Sequence, residues 1–292
     1  MQEAIYLAGP TASGKSGVAL ELARRLGGEI ISVDSMQVYR GLDLGTAKPT
    51  PAERRLVPHH LLDVAEISEP FDAARFLQIA RAAEDDIRAR GKIPIFCGGT
   101  GLYFNALVGG LSRDAPPDPI LRAELERAPL ETLLQELRAQ APETLSRLDQ
   151  KNPRRVIRAV EILRSGSARP DWKFAQPQGV WIGLARDRAD LHQRIERRVD
   201  EMFALGLVAE TQNLLARGLR ENRTALQAIG YRQVAEHLSG ARDLPETIAL
   251  VKQKTRQYAK RQLTWFRHQL ELQWLSVAPE ETPSQIARKI CA

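Results

Sequence analysis

The chain of 292 residues is long enough for one large domain with an insertion or for two modest domains, and 43% of its residues are hydrophobic. It has no run of about 18 apolar residues and no basic start followed by a long apolar stretch, so the sequence supports neither a membrane span nor a signal peptide. We therefore expect a globular, cytoplasmic protein without membrane contact. The net charge of +6 divides into −1 for residues 1–111 and +7 for residues 112–292, so the basic excess lies in the second part.

The two cysteines indicate neither a metal site nor a disulfide framework. Cys97 and Cys291 lie far apart and form no CxxC pair. Zinc sites and disulfide-rich domains both use several cysteines, often at short spacings. We expect both residues to be free thiols.

A glycine loop follows the first apolar run, Ala4 to Ala8, and fits the pattern Gly-x4-Gly-Lys-Ser. An amphipathic stretch comes next, so the loop joins a strand to a helix, as a phosphate-binding loop requires. Backbone N–H groups at the helix start would converge on a polyphosphate, Lys15 would add a positive charge, and the Ser16 hydroxyl would bind magnesium. The residues of this predicted site are Gly9, Pro10, Thr11, Ala12, Ser13, Gly14, Lys15 and Ser16.

Asp34 follows the second predicted strand, Glu29 to Val33. The carboxyl ends of parallel strands meet at one edge of a sheet, so Asp34 is expected to face the same crevice as Lys15. Its carboxylate could act there as a general base or a magnesium ligand. It could equally cap an Asx turn, which is common where an Asp leaves a strand. The residues alone leave both interpretations open.

The third predicted strand, Lys92 to Cys97, ends in a second glycine turn. Many P-loop hydrolases carry an acidic residue at the end of such a strand, where it helps to hold magnesium. Glycines and Thr100 stand here instead, which argues against ordinary ATP hydrolysis. The Thr100 hydroxyl could contact an anionic oxygen or could cap the following helix.

Strand signals disappear after Leu111, and a core-like strand resumes near Gly179. We therefore expect a small all-helical insertion at residues 112–179, with an α/β core formed by residues 1–111 and 180–292. Residues 151–169 of the insertion carry six basic residues and one acidic residue. Such clustering suits the phosphates of a nucleic acid, although a solvated helix face gives the same pattern.

Two predicted helices of the second half carry basic residues at helical spacing. Arg194 and Arg198 are one turn apart, where they could clamp a diphosphate or form surface ion pairs such as Asp190 with Arg194. The last long helix, residues 244–269, interleaves basic residues with Tyr258 and Trp265. This pattern suits nucleic acid, although Trp265 fits the core equally well.

Eight segments along the chain carry a family resemblance. They are GPTASGKS, DSMQVYRGLDLGTAKP, PHHLLD, GGTGLY, NPRRVIRAVEIL, LHQRIERRVDEM, AIGYRQ and YAKRQLTWFR. In this order, and over nearly the whole chain, they resemble the tRNA dimethylallyltransferases of bacterial tRNA modification. The resemblance implies a P-loop NTPase-like core with a parallel sheet and helices on both faces. It also implies transfer of a dimethylallyl group from dimethylallyl diphosphate to N6 of the adenosine 3′-adjacent to the anticodon, in tRNAs that read codons beginning with U.

The resemblance also assigns roles that the residues alone leave open. It makes Asp34 the base for the adenine amine, with Gln37 reading the edge of an adenine flipped into the crevice. It gives Lys15, Thr100 and Arg198, together with magnesium at Ser16, the task of neutralising the departing pyrophosphate.

The implied partner is the anticodon stem-loop of tRNA, and we expect a monomer. The residues expected to contact tRNA are Asp34, Ser35, Met36, Gln37, Thr100, Arg122, Arg154, Arg155, Val156, Ile157, Arg158, Gln227, Ala228, Ile229, Gly230, Tyr231 and Arg232. Because no CxxC pair is present, the zinc finger of some eukaryotic relatives is not expected.

Two other functions fit the sequence less well. A P-loop small-molecule kinase would use Asp34 to activate a hydroxyl for ATP, and it predicts an arginine-rich lid without a separate RNA surface. An RNA-binding protein that only senses a nucleotide would have no need of Asp34. Both of these alternatives predict ATP binding at the glycine loop.

Overall fold

A computed structural model describes residues 3–109, 118–166 and 176–291. The chain divides into two units. The first unit comprises Met1–Val108 and Ala175–Ala292, and the second unit comprises Gly109–Phe174. The expected limits of the insertion, residues 112 and 179, stay a prediction, because residues 110–117 and 167–175 lie outside the described residues.

A six-stranded parallel sheet forms the centre of the first unit, with the strand order β3-β2-β4-β1-β5-β6. The strands are β1 (Ala4–Ala8), β2 (Glu29–Val33), β3 (His59–His60), β4 (Pro94–Gly98), β5 (Gly179–Arg186) and β6 (Gln273–Val277). Every residue of β1, β2 and β4 is buried, as expected for parallel strands that are covered on both faces. The predicted α/β class with a parallel sheet is confirmed.

Helices cover both faces of this sheet. The helices of the first unit are α1 (Lys15–Leu26), α2 (Pro51–Leu56), α3 (Ala73–Ala89), α4 (Gly101–Gly109), α9 (Arg188–Ala204), α10 (Leu207–Ala216), α11 (Tyr231–Leu238), α12 (Leu244–Gln269) and α13 (Pro283–Cys291). One hydrophobic core includes Val18 and Leu22 of α1 and Ile286 of α13. A second, larger core includes Phe76 of α3 and Phe266 of α12. The long helix α12 thus packs into the main core.

The second unit is helical where it is described. Its helices are α5 (Pro119–Arg127), α6 (Leu130–Gln140), α7 (Pro142–Ser146) and α8 (Pro153–Arg164). A core of its own includes Leu125, Leu137 and Val160. Helix α8 begins with a capping pair: Asn152 Oδ1 accepts the N–H of Arg155 at 3.4 Å, and a proline occupies the first turn.

One short strand differs from the sequence-based expectation. By its sequence, Leu61-Leu62-Asp63-Val64 could form a short strand, but the observed strand β3 is His59–His60. Leu61 and Asp63 have φ values of +63° and +57°, in the left-handed region, which ends the extended conformation. Among all described helices, none is long and apolar enough to cross a membrane.

Candidate active site

The glycine loop between β1 and α1 has the features of an anion site. Strand β1 ends at Ala8 and α1 begins at Lys15, so the predicted order of strand, loop and helix is confirmed. Gly14 has a φ of +93°, which glycine adopts without strain. The unpaired N–H groups at the start of α1, together with the positive end of its dipole, suit this end of the helix to a phosphate. Lys15 Nζ donates to the Pro10 carbonyl at 3.1 Å.

Two arginines hold the loop through its carbonyl groups. Arg186 Nε donates to the Ser13 carbonyl at 2.8 Å, and Arg194 Nε donates to the Ala12 carbonyl at 2.9 Å. Asp190 Oδ2 accepts a hydrogen bond from Arg186 at 2.9 Å, and the described contacts do not include the alternative ion pair of Asp190 with Arg194. Arg194 therefore serves the glycine loop.

Arg198 and Lys15 are half-buried cations beside the loop. Arg198 Nη1 donates to Thr11 Oγ1 at 3.3 Å. Burial lowers the pKa of both cations, and the negative charge of Asp34 opposes that shift in each case. Because a poorly solvated charge is unfavourable without a counter-charge, this pair favours an anionic ligand.

The Asp34 carboxylate forms an Asx turn with one of its two oxygens. Its Oδ1 accepts the backbone N–H groups of Met36 at 2.8 Å and Gln37 at 3.3 Å, which is an Asx turn. Its Oδ2 has no hydrogen bond from the described residues. One carboxylate oxygen therefore fixes the turn, and the other is free to accept a proton.

Thr100 lies next to this turn. Its Oγ1 accepts the backbone N–H of Ser35 at 3.0 Å. The N–H groups of Gly99 and Thr100 both donate to the carbonyl of Val33 at 3.2 Å, just before Asp34. The turn after β4 is thus attached to the turn after β2.

A cavity of about 340 Å³ brings most of these groups together, near the lower end of the range for small-molecule sites. Its polar lining includes Thr11, Lys15, Ser16, Asp34, Ser35, Gln37, Arg198, Gln227, Tyr258, Arg261 and Gln262. Its apolar lining includes Met36, Ile195, Val199, Met202, Ala228, Ile229 and Val251. Three basic side chains and one carboxylate line the cavity, so it suits an anion that also has an apolar part.

A second cavity of about 250 Å³ shares Lys15, Ser16 and Arg198 with the first. It is also lined by Arg194 and Arg197, with Glu201 as its one lining carboxylate. The lining of this second cavity is therefore strongly basic.

Cys97 stands at the end of β4, in the lining of the larger cavity. Burial raises the pKa of its thiol to about 12, so the group is neutral at physiological pH. Cys97 is buried and Cys291 is exposed, and both are free thiols, as predicted. A neutral thiol cannot replace the carboxylate that holds magnesium in P-loop hydrolases.

The carboxamide of Gln37 is bound on both sides. Ser32 Oγ donates to Gln37 Oε1 at 2.9 Å, and Gln37 Nε2 donates to the carbonyl groups of Thr46 at 3.1 Å and Ala47 at 3.4 Å. Gln37 thereby fixes the loop that follows it. Its Oε1 keeps one lone pair for a further donor.

The predicted tRNA segment at residues 227–232 contributes in different ways. Gln227 and Ile229 line the larger cavity, and Arg232 is exposed, with Nε 3.0 Å from Glu236 Oε1. Tyr231 has a relative exposure of 0%, and its hydroxyl donates to Glu210 Oε1 at 2.5 Å. Gly230 is buried as well.

In the second unit, Arg154 and Arg155 are exposed, whereas Val156 and Ile157 are buried in the helical core. The guanidinium groups of Arg122 and Arg158 both donate to the buried Glu161, at 3.0 and 3.3 Å. Within residues 154–158, Arg154 and Arg155 therefore present exposed basic side chains.

Sequence reasoning assigned no role to Gln262, whose amide contacts both glycine turns. The sequence feature that could have identified Gln262 is its position on α12. It lies between the buried residues Ala259 and Phe266, on the inward-facing side of the helix. A polar residue on such a side requires buried hydrogen-bond partners.

A family model described as IPP transferase matches residues 37–269. The chain belongs to the IPP transferase family. It is 49% identical over 285 residues to tRNA dimethylallyltransferase 1 of Trichlorobacter lovleyi, with 93% of each chain covered. It is 44% identical over 291 residues to the tRNA dimethylallyltransferase of Geobacillus thermodenitrificans, covering 96% of this chain and 92% of the relative.

Solved structures give the same family. The full-length tRNA isopentenylpyrophosphate transferase of Bacillus halodurans aligns with a TM-score of 0.75 and 39% identity, covering 100% of this chain and 96% of that one. A eukaryotic dimethylallyltransferase acting on tRNA aligns with a TM-score of 0.81 and 28% identity, covering 94% of this chain and 74% of that one. The predicted resemblance is thus confirmed.

Proposed function

We propose that this enzyme transfers a dimethylallyl group from dimethylallyl diphosphate to N6 of the adenosine 3′-adjacent to the anticodon, in tRNAs that read codons beginning with U. Membership of the IPP transferase family and the names of its relatives support this reaction. The observation that carries it is the larger cavity, where a carboxylate with a free oxygen, Asp34, lies with Lys15 and Arg198. One chamber thereby supplies a base and an anion site.

The donor's diphosphate binds at the glycine loop in this proposal. The N–H groups at the start of α1, with Lys15 and Arg198, receive the negative charge that grows on pyrophosphate as the bond between C1 and oxygen breaks. The apolar wall that includes Ile195, Val199 and Val251 receives the five-carbon group. Since that wall and the cations line one cavity, both ends of the donor fit the same site.

The acceptor adenine enters the cavity beside Asp34 after leaving its stack in the anticodon loop. N6 bonds to C1 as pyrophosphate departs, and its proton passes to Asp34 Oδ2. The free lone pair of Gln37 Oε1 can accept the second N6–H. Thr100 holds Ser35 and so keeps the Asp34 turn in place.

We propose that the Ser16 hydroxyl would help to hold a magnesium ion, which would neutralise charge on the leaving group. Among the described residues, no group of three or more His, Cys, Asp or Glu side chains could hold a metal. A single hydroxyl ligand from the protein fits magnesium, which usually keeps several waters and is held together with substrate phosphates.

Removal of the Ser16 hydroxyl will weaken the response to magnesium. We expect Ser16→Ala to raise the magnesium concentration needed for half-maximal rate at least about 10-fold, because one protein ligand is lost. A titration of magnesium against the initial rate measures this. Ser239→Ala, at an exposed serine beyond α11, is the control. Equal magnesium responses of the Ser16 variant and wild type would remove this ligand assignment.

We propose that Arg154 and Arg155 bind tRNA phosphates. Both are exposed on the first turn of α8, and neither has an ion pair among the described residues. We expect the double alanine variant to weaken binding of an anticodon stem-loop about 10-fold and to lower the slope of log Kd against log salt by about 1 to 2. Arg138→Ala, at an exposed arginine of α6, is the matched control. A double variant with an unchanged salt slope would contradict the assignment.

We further propose a cytoplasmic enzyme that acts as a monomer. The base, the basic loop and the apolar wall all come from a single chain, which supports a complete site in one molecule. Light scattering of the enzyme alone and with tRNA tests this. A mass of two chains in both states would contradict it.

The reaction is tested with radiolabelled dimethylallyl diphosphate, magnesium and an anticodon stem-loop in the absence of ATP. Label transferred to the RNA supports prenyl transfer. A requirement for ATP, or the absence of labelled RNA, would contradict it.

A further inference from the structure

The side chain of Gln262 joins two loops of the candidate active site. It lies on α12 with a relative exposure of 7%, and it lines the larger cavity. The backbone N–H of Thr11 donates to Gln262 Oε1 at 2.8 Å, and Gln262 Nε2 donates to the carbonyl of Gly99 at 2.8 Å. Thr11 belongs to the loop after β1, and Gly99 belongs to the turn after the neighbouring strand β4. One buried amide therefore fixes the separation of the two loops.

This position requires a side chain with one acceptor and one donor. A primary amide offers both, whereas a carboxylate offers acceptors alone and would face the carbonyl of Gly99. An apolar side chain would leave the Thr11 N–H and the Gly99 carbonyl without this partner. A Cβ at residue 99 would overlap the amide nitrogen of Gln262, so a larger residue there would displace this amide. The fit between residues 99 and 262 is thus tight on both sides.

Each loop continues to one half of the proposed reaction. On the donor side, the hydroxyl of Thr11 accepts a hydrogen bond from Arg198. On the acceptor side, Gly99 leads to Thr100, whose hydroxyl accepts the N–H of Ser35. Ser35 directly follows the proposed base. Gln262 therefore lies between the groups that hold the diphosphate and the group that takes the proton.

We propose that Gln262 is a positioning residue that sets the distance between the glycine loop and Asp34, and so aligns C1 of the prenyl donor with N6 of the adenine. This inference rests on the proposed function. Gln262 acts through Thr11 and Gly99, so its loss leaves each substrate's own ligands in place. Its loss misaligns the reacting atoms, which lowers the rate of the bound complex more than the affinity for either substrate.

The test compares Gln262→Met, which removes both hydrogen-bonding groups at similar length, with Gln257→Met, an exposed glutamine of the same helix. Single-turnover transfer is measured at saturating concentrations of both substrates, and the Kd of each substrate is measured separately. For Gln262→Met we expect a rate lowered about 10²-fold, with each Kd within about threefold of wild type. The Gln257 variant will match wild type.

A second variant separates positioning from general structural damage. Gln262→Glu places a carboxylate against the Gly99 carbonyl, and protonation of that carboxylate restores an O–H donor and a carbonyl acceptor. We therefore expect the rate of Gln262→Glu relative to wild type to rise at least about threefold from pH 8 to pH 6.

The inference is overturned if Gln262→Met transfers at the wild-type rate, or if its rate falls only in proportion to substrate affinity. It is also overturned if the transfer rate of Gln262→Glu, divided by the wild-type rate, does not change between pH 8 and pH 6. If the wild-type enzyme labels no RNA, the proposed function itself is contradicted. If the wild-type enzyme transfers the label normally and the Gln262 variants match it, only the positioning role of Gln262 is overturned.

Discussion

Asp34→Asn will lower the rate of prenyl transfer about 10³-fold while leaving tRNA affinity within about threefold of wild type. The asparagine oxygen can still accept the N–H groups of Met36 and Gln37, so the Asx turn persists. What is lost is the oxygen that takes the proton from N6. Single-turnover kinetics and equilibrium binding of an anticodon stem-loop measure the two quantities separately.

A matched control for this variant lies at the start of α3. Asp72 caps that helix by accepting the N–H of Arg75 at 2.9 Å, and asparagine caps equally well. Asp72→Asn is therefore expected to transfer at the wild-type rate. An Asp34→Asn enzyme that retains more than about a tenth of the wild-type rate would remove the general-base assignment.

Arg198→Met will lower the rate about 10²- to 10³-fold, because a cation beside the departing pyrophosphate is lost. Arg198 lines both cavities and donates a hydrogen bond to the Thr11 hydroxyl. Burial lowers the pKa of its guanidinium, so this cation is poorly solvated. An anion at this position therefore gains a poorly solvated counter-charge. The measurement is the single-turnover rate with saturating dimethylallyl diphosphate, together with the Kd of that substrate.

The control for Arg198→Met is Arg188→Met, which changes an exposed arginine at the first turn of the same helix. We expect this control to behave as wild type. If Arg198→Met changes only the Kd of the diphosphate and leaves the saturated rate intact, Arg198 binds the ground state alone and does not stabilise the transition state.

Much of the fold follows from local pattern. The apolar run of β2, Glu29–Val33, and the helical period of α12, Leu244–Gln269, predict both elements with the observed limits. Buried parallel strands and amphipathic helices leave strong local signals. The edge strand β6, Gln273–Val277, was not predicted, because it alternates weakly and depends on pairing with β5.

The candidate site was predictable where chemistry depends on one short segment. The glycine loop and the position of Asp34 at a strand end follow from spacing. Spacing does not show that only one oxygen of the Asp34 carboxylate is used by the Asx turn, because that depends on the three-dimensional geometry of the turn. The contacts of Gln262 could not be predicted from sequence spacing either, since its partner Thr11 lies 251 residues away in the chain.

Burial also changes how the predicted tRNA segments are interpreted. AIGYRQ and NPRRVIRAVEIL each mix exposed and buried positions, and the sequence does not separate them. The structure shows that Tyr231 is held inside by Glu210, while Arg154 and Arg155 face solvent. We therefore propose that side-chain contacts with RNA are made by the exposed arginines rather than by the whole motif.

The most direct test of the proposed reaction is the mass of an anticodon stem-loop after incubation with the enzyme, magnesium and dimethylallyl diphosphate, without ATP or any other free nucleotide. We predict that one dimethylallyl group replaces one hydrogen, and that fragmentation places it on N6 of the adenosine 3′-adjacent to the anticodon. An RNA of unchanged mass, or one modified at a different nucleotide, would contradict the proposed function.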